Sequence, residues 1–490
     1  MNISADKIPL EVRQIAHTLE TNGFEAFVVG GCTRDLLLGK TPKDWDLTTN
    51  AHPEQIQALF PEHYANNDFG TVGVKTESED TTLKVVEITP YRTESGYTDA
   101  RRPDSVTFGV SLEEDLKRRD FTVNALAYRI STNTMVDLFD GVEDLQNKRL
   151  KAVGDANERF SEDALRMMRA VRLAAELDFV IETNTMAAIL ANHEQLTKIS
   201  IERISSEFLR TIASPTPMQG IVFMEKLGLL QHFIPELLIC VGVEQGGAHK
   251  YDVYEHLLRT MQAAADKEYS VNMRLAGLFH DIAKPQTRRE GGKNKQYTFF
   301  GHEVVGAKMT KKILDRLKMP RETVEEVTNL VRWHMFFADT EEISLSAVRR
   351  TITRVGENHI EELLNLRVCD RIGMGRPKEE PFRFRKYKAM VDEALRDPIS
   401  VKMLKIDGTR IMELSGEKPG RKLGYILHAL LEEALEDSSK NTAEYLERRT
   451  LELLALSEEK LIALADAGKQ KQAEEEALAL KDIAREHRVN

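Results

Sequence analysis

The 490-residue chain is poor in cysteine, tryptophan and aromatic residues generally: three Cys, two Trp and 7% aromatics. Cys32, Cys240 and Cys369 stand far apart and form no zinc-type spacing. So sparse and odd a set argues against a disulfide framework and for a reducing, cytoplasmic compartment. No apolar run approaches the roughly 20 residues that a membrane span requires. The opening MNISADKIPLEVRQ is polar and lacks the apolar core of a secretory signal, so no membrane partner is expected. A basic surplus is missing too: 68 Lys and Arg against 79 Asp and Glu give a formal charge of -11. That balance does not advertise a nucleic-acid binder, although a local basic patch can sit on an acidic chain. No internal repeat is visible. What remains is ordinary globular composition, 41% hydrophobic and 30% charged, with length for roughly three domains.

Periodicity divides the chain. Leu10–Leu19 spaces its apolar residues as a helix does, Phe27–Val29 reads as a buried strand, and Pro53–Leu59 as a helix opened by proline. Thr71–Thr76 and Leu83–Tyr91 alternate or run apolar, as strands do. From about Ser161 strands become scarce and long helical patterns take over. The expectation is an α+β protein: a mixed-sheet head over 1–148, helical neck and body over 149–245, a second helical domain over 246–395, and a helical tail over 396–490. Gly246–Gly247 suggests the boundary before the second set of histidines. The stretch Ser457–Asn490 reads as a solvent-facing helix.

The densest chemistry lies in FVVGGCTRDLLLGKTPKDWDLTT, Phe27–Thr49. Residues two apart on a strand face one side, so Asp44 and Asp46 would converge while Trp45 points away. Converging carboxylates call for a cation, and Mg²⁺ commonly takes one or two carboxylates plus substrate phosphates. Gly30–Gly31 permits close backbone approach to a ligand, and Arg34 adds a fixed charge suited to phosphate. Glu87, in the strand VVEIT, is a candidate third acidic group; an exposed strand position with no role is the equal alternative.

GGCTRDLLLGKTPKDWDLTT resembles the first motif of the class II tRNA nucleotidyltransferase and bacterial poly(A) polymerase superfamily. RRDFTVNALAY (Arg118–Tyr128), VDLFDG (Val136–Gly141), SEDALRMMRAVRLAAELDF (Ser161–Phe179) and IERISSEFL (Ile201–Leu209) resemble its later motifs, in order. The likeness covers roughly the first 215 residues and departs mildly at Cys32–Thr33. It implies a polymerase-β-like head, with tRNA, CTP and ATP as partners and Mg²⁺ held by Asp44 and Asp46. Attack of the RNA 3′-hydroxyl on the α-phosphorus would then release pyrophosphate. Gly31, Arg34 and Arg119 would contact the nucleotide, and Asp120 and Asn124 would read the ribose. Asp163 and Arg166 would offer acceptor and donor groups to the Watson–Crick edge of cytosine or adenine. Arg169 and Arg172 would support that pair or the phosphates. Periodicity alone puts Asp163, Arg166, Arg169 and Arg172 on one slowly turning helical stripe. The segment Glu94–Lys117 reads as a mobile loop of the kind the family's CCA-adding and A-adding members carry. The leading expectation is a tRNA nucleotidyltransferase that builds or repairs the 3′-CCA end without a nucleic-acid template, with addition of A only and poly(A) synthesis the alternatives, and a homodimer is among the assemblies the resemblance allows. The one other class is a phosphohydrolase whose head merely binds nucleotide.

Downstream, His256, the adjacent His280–Asp281, His302, His334 and Asp370 fall on helical segments. Imidazole and carboxylate suit a transition metal. The pattern resembles the HD phosphohydrolase superfamily, which implies a second divalent metal such as Mn²⁺ or Ni²⁺ and hydrolysis of phosphoesters, 2′,3′-cyclic phosphates included. A fold kept only to hold tRNA is the alternative.

Overall fold

The computed structural model describes residues 3–66, 70–95, 105–246, 250–290, 297–336, 344–376, 378–396 and 401–465. The chain forms two compact units, Met1–Phe233 and Ile234–Asn490. The helical segment that follows the sheet thus packs with the head in the first unit, and the division falls ahead of Gly246.

The first unit opens with α1 (Leu10–Thr21), whose buried Val12, Ile15, Ala16 and Leu19 repeat at helical spacing. A seven-stranded sheet follows in the order β3-β4-β5-β2-β1-β8-β9. Its strands are β1 (Phe27–Val29), β2 (Asp46–Thr49), β3 (His63–Asn66), β4 (Thr71–Lys75), β5 (Val85–Pro90), β8 (Leu126–Arg129) and β9 (Thr134–Asp137). All neighbours are antiparallel except β2 and β5, whose parallel register sets Asp46 beside Glu87. Between β1 and β2 lies the short helix α2 (Gly31–Leu37), and α3 (Pro53–Leu59) follows β2. Gly30 takes φ 74°, a conformation that glycine adopts freely. Phe27, Val29, Tyr91, Leu116 and Ala127 form a buried cluster in this head.

The Glu94–Lys117 segment is more regular than its composition predicts. β6 (Arg92–Ser95) pairs antiparallel with β7 (Ser105–Phe108), and α4 (Leu112–Lys117) starts at a Ser111–Glu114 capping box. Its centre, 96–104, lies outside the described residues.

A helical part completes the first unit: α5 (Gly141–Gln146), α6 (Ala156–Glu162), α7 (Leu165–Leu177), α8 (Thr183–Asn192), α9 (Ile201–Ala213) and α10 (Pro217–Lys226), with the two-residue strands β10 (Arg149–Leu150) and β11 (Val180–Ile181) pairing in parallel. The helix expected to run on from Glu162 breaks at Asp163. That residue is extended (φ -140°, ψ 104°), and its carboxylate accepts from Leu165 N–H at 3.0 Å, which ends α6 and starts α7.

The second unit is helical apart from the small β12 (Arg289–Glu290) and β13 (Tyr297–Thr298) pair. Its helices are α11 (Pro235–Leu238), α12 (Val253–Asp266), α13 (Val271–Phe279), α14 (Lys284–Thr287), α15 (His302–Arg316), α16 (Arg321–Trp333), α17 (Leu345–Val355), α18 (Ile360–Gly373), α19 (Phe382–Ala394), α20 (Gly408–Ser415), α21 (Arg421–Glu436), α22 (Ala443–Leu454) and α23 (Glu458–Ala465). Helix α12 packs on α13 and α18, and α15 on α16. The tail expected to face solvent is anchored where it is described: Leu461 and Ala465 of α23 are buried, and the helix packs on α21. Residues 466–490 lie outside the described residues. No described helix is long and apolar enough to cross a membrane.

Candidate active sites

The first site grows from the β1–α2 turn. Asp46 opens β2, while Asp44 lies just ahead of the strand rather than on it, and buried Trp45 points into the core. A Cβ placed on Gly30 would lie 3.3 Å from Arg119 Nη1 and 3.6 Å from Asp46 Oδ2. One on Gly31 would lie 3.7 Å from Arg34 Nη2 and 3.9 Å from Asp44 Oδ1. The bare glycines are therefore a floor over which two carboxylates and two guanidinia converge. Burial, then the charges of Asp44 and Glu87, push the Asp46 carboxyl up to about 7, against the pull of Arg119. A carboxylate held at that cost fits a site built for a cation. Glu87 itself is exposed on β5.

The neighbouring groups are locked in place. Arg34 donates to Asp35 and, through Nη1, to Asn124 at 2.9 Å. Asn124 in turn donates to Asp120 at 3.2 Å, and Arg169 donates to Asp120 through Nη2 at 2.6 Å and Nε at 2.9 Å. Burial alone would raise the Asp120 carboxyl; the Arg169 guanidinium and these hydrogen bonds hold it well below the usual range instead. Asp115, fully buried, fixes Arg118 at 2.7 Å and Arg119 at 3.4 Å. Asp137 accepts from the N–H groups of Gly141 and Val142 at the start of α5, and Thr122 donates to Asp144 on that helix at 2.6 Å, so α5 buttresses the turn that carries Asn124.

Gly31, Arg34, Asp44, Asp46, Asn124, Arg169 and Arg172 line one cavity of about 620 Å³. Asp163 and Arg166 lie outside that lining. Arg166 donates to Glu162, to the Arg159 carbonyl and to the Arg118 carbonyl. Asp163 accepts from Arg203 on α9 at 2.8 Å. Arg172 is buried and bridges Glu207 (2.5 Å) and Glu176 (2.6 Å). Arg203 and Glu207 lie in the IERISSEFL segment, but their partners are 35 or more positions away, beyond the reach of local spacing. Cys32 is buried, donates to the Val29 carbonyl, and has a thiol pushed up to about 12 by burial, which suits a packing role.

The second site joins all six residues singled out downstream. His256, His280 and Asp370 form one cluster and Asp281, His302 and His334 another. Asp281 connects them: Oδ2 lies 3.3 Å from His256 Nε2 and 3.2 Å from His280 Nε2, and Oδ1 lies 3.1 Å from His302 Nε2 and 3.5 Å from His334 Nε2. Backbone carbonyls of Gly277, Phe299 and Val331 sit 2.9, 2.7 and 2.7 Å from Nδ1 of His280, His302 and His334. A carbonyl there requires the proton on Nδ1, so each neutral ring turns an Nε2 lone pair inward. His302 Nε2 and His334 Nε2 are 3.2 Å apart, and Asp281 Oδ1 accepts no hydrogen bond. Acceptors packed that closely with no donor fit a metal ion. Burial opposes charge on His256, but Asp281 and Asp370 outweigh it and bring its pKa up to about 9.

Lys284 belongs to this site although it is not among the candidate residues named from the sequence. Its buried ammonium lies 2.6 Å from Asp281 Oδ2 and 2.7 Å from Gln245 Oε1. A sequence signal does exist, since Lys284 stands one helical turn after Asp281. Arg367 likewise holds Asp370 at 2.5 Å. A mouth of about 530 Å³ opens over Asp281, Lys284, His302, His334, Arg367 and Asp370.

The fold and the first site define a nucleotidyltransferase-type head joined to helical domains, one of which carries an HD-type histidine–aspartate cluster. Residues 26–151 match the Poly A polymerase head domain, 178–240 the "probable RNA and SrmB-binding site of polymerase A", and 253–375 the HD domain. The chain is 50% identical over 222 residues to the CCA-adding enzyme of Lactobacillus helveticus, covering 44% of this chain and 54% of that one. With the CCA-adding enzyme of Enterococcus faecalis it shares 49% over 218 residues, 44% of this chain and 52% of that one. The chain thus spans about half the length of the curated relatives it matches. The crystal structure of the Bacillus stearothermophilus CCA-adding enzyme in complex with CTP is similar over 91% of this chain and 98% of that one, with TM-score 0.67 and 26% identity.

Proposed function

We propose that this protein adds or repairs the 3′-terminal CCA of tRNA, taking CTP and ATP without a nucleic-acid template. The observation that carries this is the convergence of Asp44, Asp46, Arg34 and Arg119 over the Gly30–Gly31 floor. The half-length likeness to CCA-adding enzymes and the whole-chain likeness to one bound to CTP support it. Asp44 and Asp46 would hold Mg²⁺, with Glu87 a neighbouring negative charge. Bound there, such ions lower the pKa of the attacking hydroxyl and neutralise charge on the leaving group. Arg34 and Arg119 receive the triphosphate, and the Asp120–Asn124 pair, held by Arg169 and Arg34, faces the ribose. Asp163 and Arg166 read the base edge, because side chains that present a fixed acceptor and donor replace a template strand. Their absence from the lining of the 620 Å³ cavity means that Arg166 must exchange a present partner for the base. Addition of A alone is the second form of this reading.

The test offers purified protein tRNA lacking three, two or one of its terminal nucleotides, with CTP, ATP and Mg²⁺. Extension of all three substrates is expected; extension only of the last overturns CCA addition in favour of A addition. Long adenosine tracts on unrelated RNA would reassign the protein to poly(A) synthesis.

For the second unit we infer divalent-metal hydrolysis of a phosphoester, because Asp281 links two histidine clusters whose lone pairs face inward. Opening of a 2′,3′-cyclic nucleotide by water to its 2′- or 3′-monophosphate with Mn²⁺ or Ni²⁺, lost in His280→Ala and Asp281→Ala, is the expected result. No ring opening by the unmutated protein with any divalent metal would leave the domain a tRNA-holding body.

A further inference from the structure

The cations deep in the nucleotidyl-transfer cavity are already matched. Arg34 is paired with Asp35 (2.8 Å), Arg169 with Asp120 and Arg172 with Glu176 and Glu207. Lys40 and Lys43 differ. Both border the same cavity, both are exposed, and neither forms an ion pair among the described residues. They stand on GKTPK (Gly39–Lys43), within the segment 38–45 that joins α2 to β2. This loop is not a loose excursion. Pro42 and Trp45 are buried beneath it, so the chain is pinned at alternate points while the two ammonium groups are presented outward. Lys40 also borders an adjoining cavity of about 320 Å³, where Lys7 is a second lining cation. The loop is therefore a ridge between two openings, with lysines on the ridge and beyond it.

We propose that the Gly39–Lys43 loop is the surface that grips the backbone phosphates of the RNA strand being extended, through Lys40 and Lys43, with Lys7 continuing the track. The proposal rests on the nucleotidyl-transfer reading above. Two polyanions must meet in this cavity. The triphosphate has Arg34, Arg119 and the cations of the Asp44–Asp46 pair; the RNA needs counter-charges of its own. The attacking hydroxyl has to reach Asp44, so the last phosphates of its strand lie within about a nucleotide of it, and Lys43 is the chain neighbour of Asp44. Lysine suits such a grip, because a mobile point charge follows a backbone without reading sequence.

The experiment measures binding of tRNA lacking its CCA end by fluorescence anisotropy across a range of KCl, together with KM for tRNA and for CTP. For Lys40→Ala/Lys43→Ala, the slope of log K against log salt is expected to fall by about 1.4, the release of two single-strand counterion contacts. KM for tRNA should rise while KM for CTP holds, and Lys40→Arg/Lys43→Arg should keep the wild-type slope. A raised KM for CTP with an unchanged salt slope would reassign the lysines to the triphosphate and overturn the proposal. Wild-type protein that extends no tRNA overturns the underlying reading; wild-type protein that extends tRNA while the alanine variant keeps its slope overturns the loop assignment alone.

Discussion

Asp163 takes its hydrogen bond from Arg203, 40 positions away, and not from Arg166 three residues on. Its other oxygen caps Leu165 N–H at 3.0 Å, so the carboxylate is fixed from two sides at the break between α6 and α7. A hydrogen bond to a charged group contributes about 1.5–3 kcal/mol. If Asp163 reads the base edge as proposed, loss of that hold should let its carboxylate turn away. In Arg203→Ala, kcat/KM for CTP and ATP should fall roughly tenfold or more, with less change for UTP and GTP, and Arg203→Lys should restore part of the preference. Steady-state kinetics with the four nucleotides decides this; an unchanged ratio would show that Asp163 needs no such support.

That relationship marks where sequence reading stops. Phe27–Val29, Pro53–Leu59, the converging Asp44 and Asp46, and the six histidine and aspartate residues of the second unit are legible because each depends on local period or on residue type at short range. Asp163 reads as helical in sequence because apolar and charged spacing continues through it. The competing interaction, a side chain capping the next helix, leaves no trace in periodicity. Arg203 and Glu207 fall in the IERISSEFL segment, but their pairing with Asp163 and Arg172, like that of Gln245 with Lys284, comes only from tertiary packing, and no spacing announces those pairs. The anchoring of α23 is hidden for a related reason: a Glu- and Lys-rich helix buries through a few positions, Leu461 and Ala465, which composition averages away.

Asp120 gives the first unit a defined acid sensitivity. Its folded pKa is held below the value near 3.9 of an unfolded chain, so folding gains fully from it above about pH 4. The gain is lost as pH falls toward the folded pKa. Asp120→Asn should therefore destabilise the protein at neutral pH, by roughly 3 kcal/mol if Arg169 is left without a charged partner. Thermal melts of wild type and variant, compared from pH 7 down to pH 2, should converge below pH 4. A gap that stays constant across that range would show that the ionised carboxylate is not what Arg169 stabilises.

Gly141 is fixed by space rather than by backbone angle. A Cβ there would meet the Thr122 carbonyl oxygen at 2.3 Å and carbon at 2.9 Å, and neither is a flexible group. Gly141→Ala must push α5 off the turn that presents Asn124. A loss of about 1–3 kcal/mol in denaturant melts is expected, the range for overpacking a closed site. KM for the nucleotide should rise alongside, because Arg34 is held through Asn124 Oδ1. Wild-type stability in this variant would mean that the contact relaxes without consequence.

A metal ion held in the second site would compete with Lys284 for one oxygen. The ammonium lies 2.6 Å from Asp281 Oδ2, the atom that faces His256 and His280. Gln245 keeps it there: its amide nitrogen donates to the carbonyls of Tyr251 and Asp252, which turns Oε1 toward Lys284. A divalent ion shared by Asp281, His256 and His280 would be repelled by that fixed charge. Removing the charge leaves Asp281 with greater need of a cation, and both effects have the same sign. Lys284→Met, which keeps the length and apolar stem, should therefore bind Mn²⁺ more tightly than wild type. On the scale of one close like-charge contact in a protein of effective dielectric near 20, the gain is on the order of tenfold or more. Titration calorimetry of the metal-free proteins reads this directly, with no dependence on turnover. Weaker binding in Lys284→Met would invert the assignment: Lys284 would then be the prop that aims Asp281 at the metal, and its ammonium a part of the site rather than a rival for it.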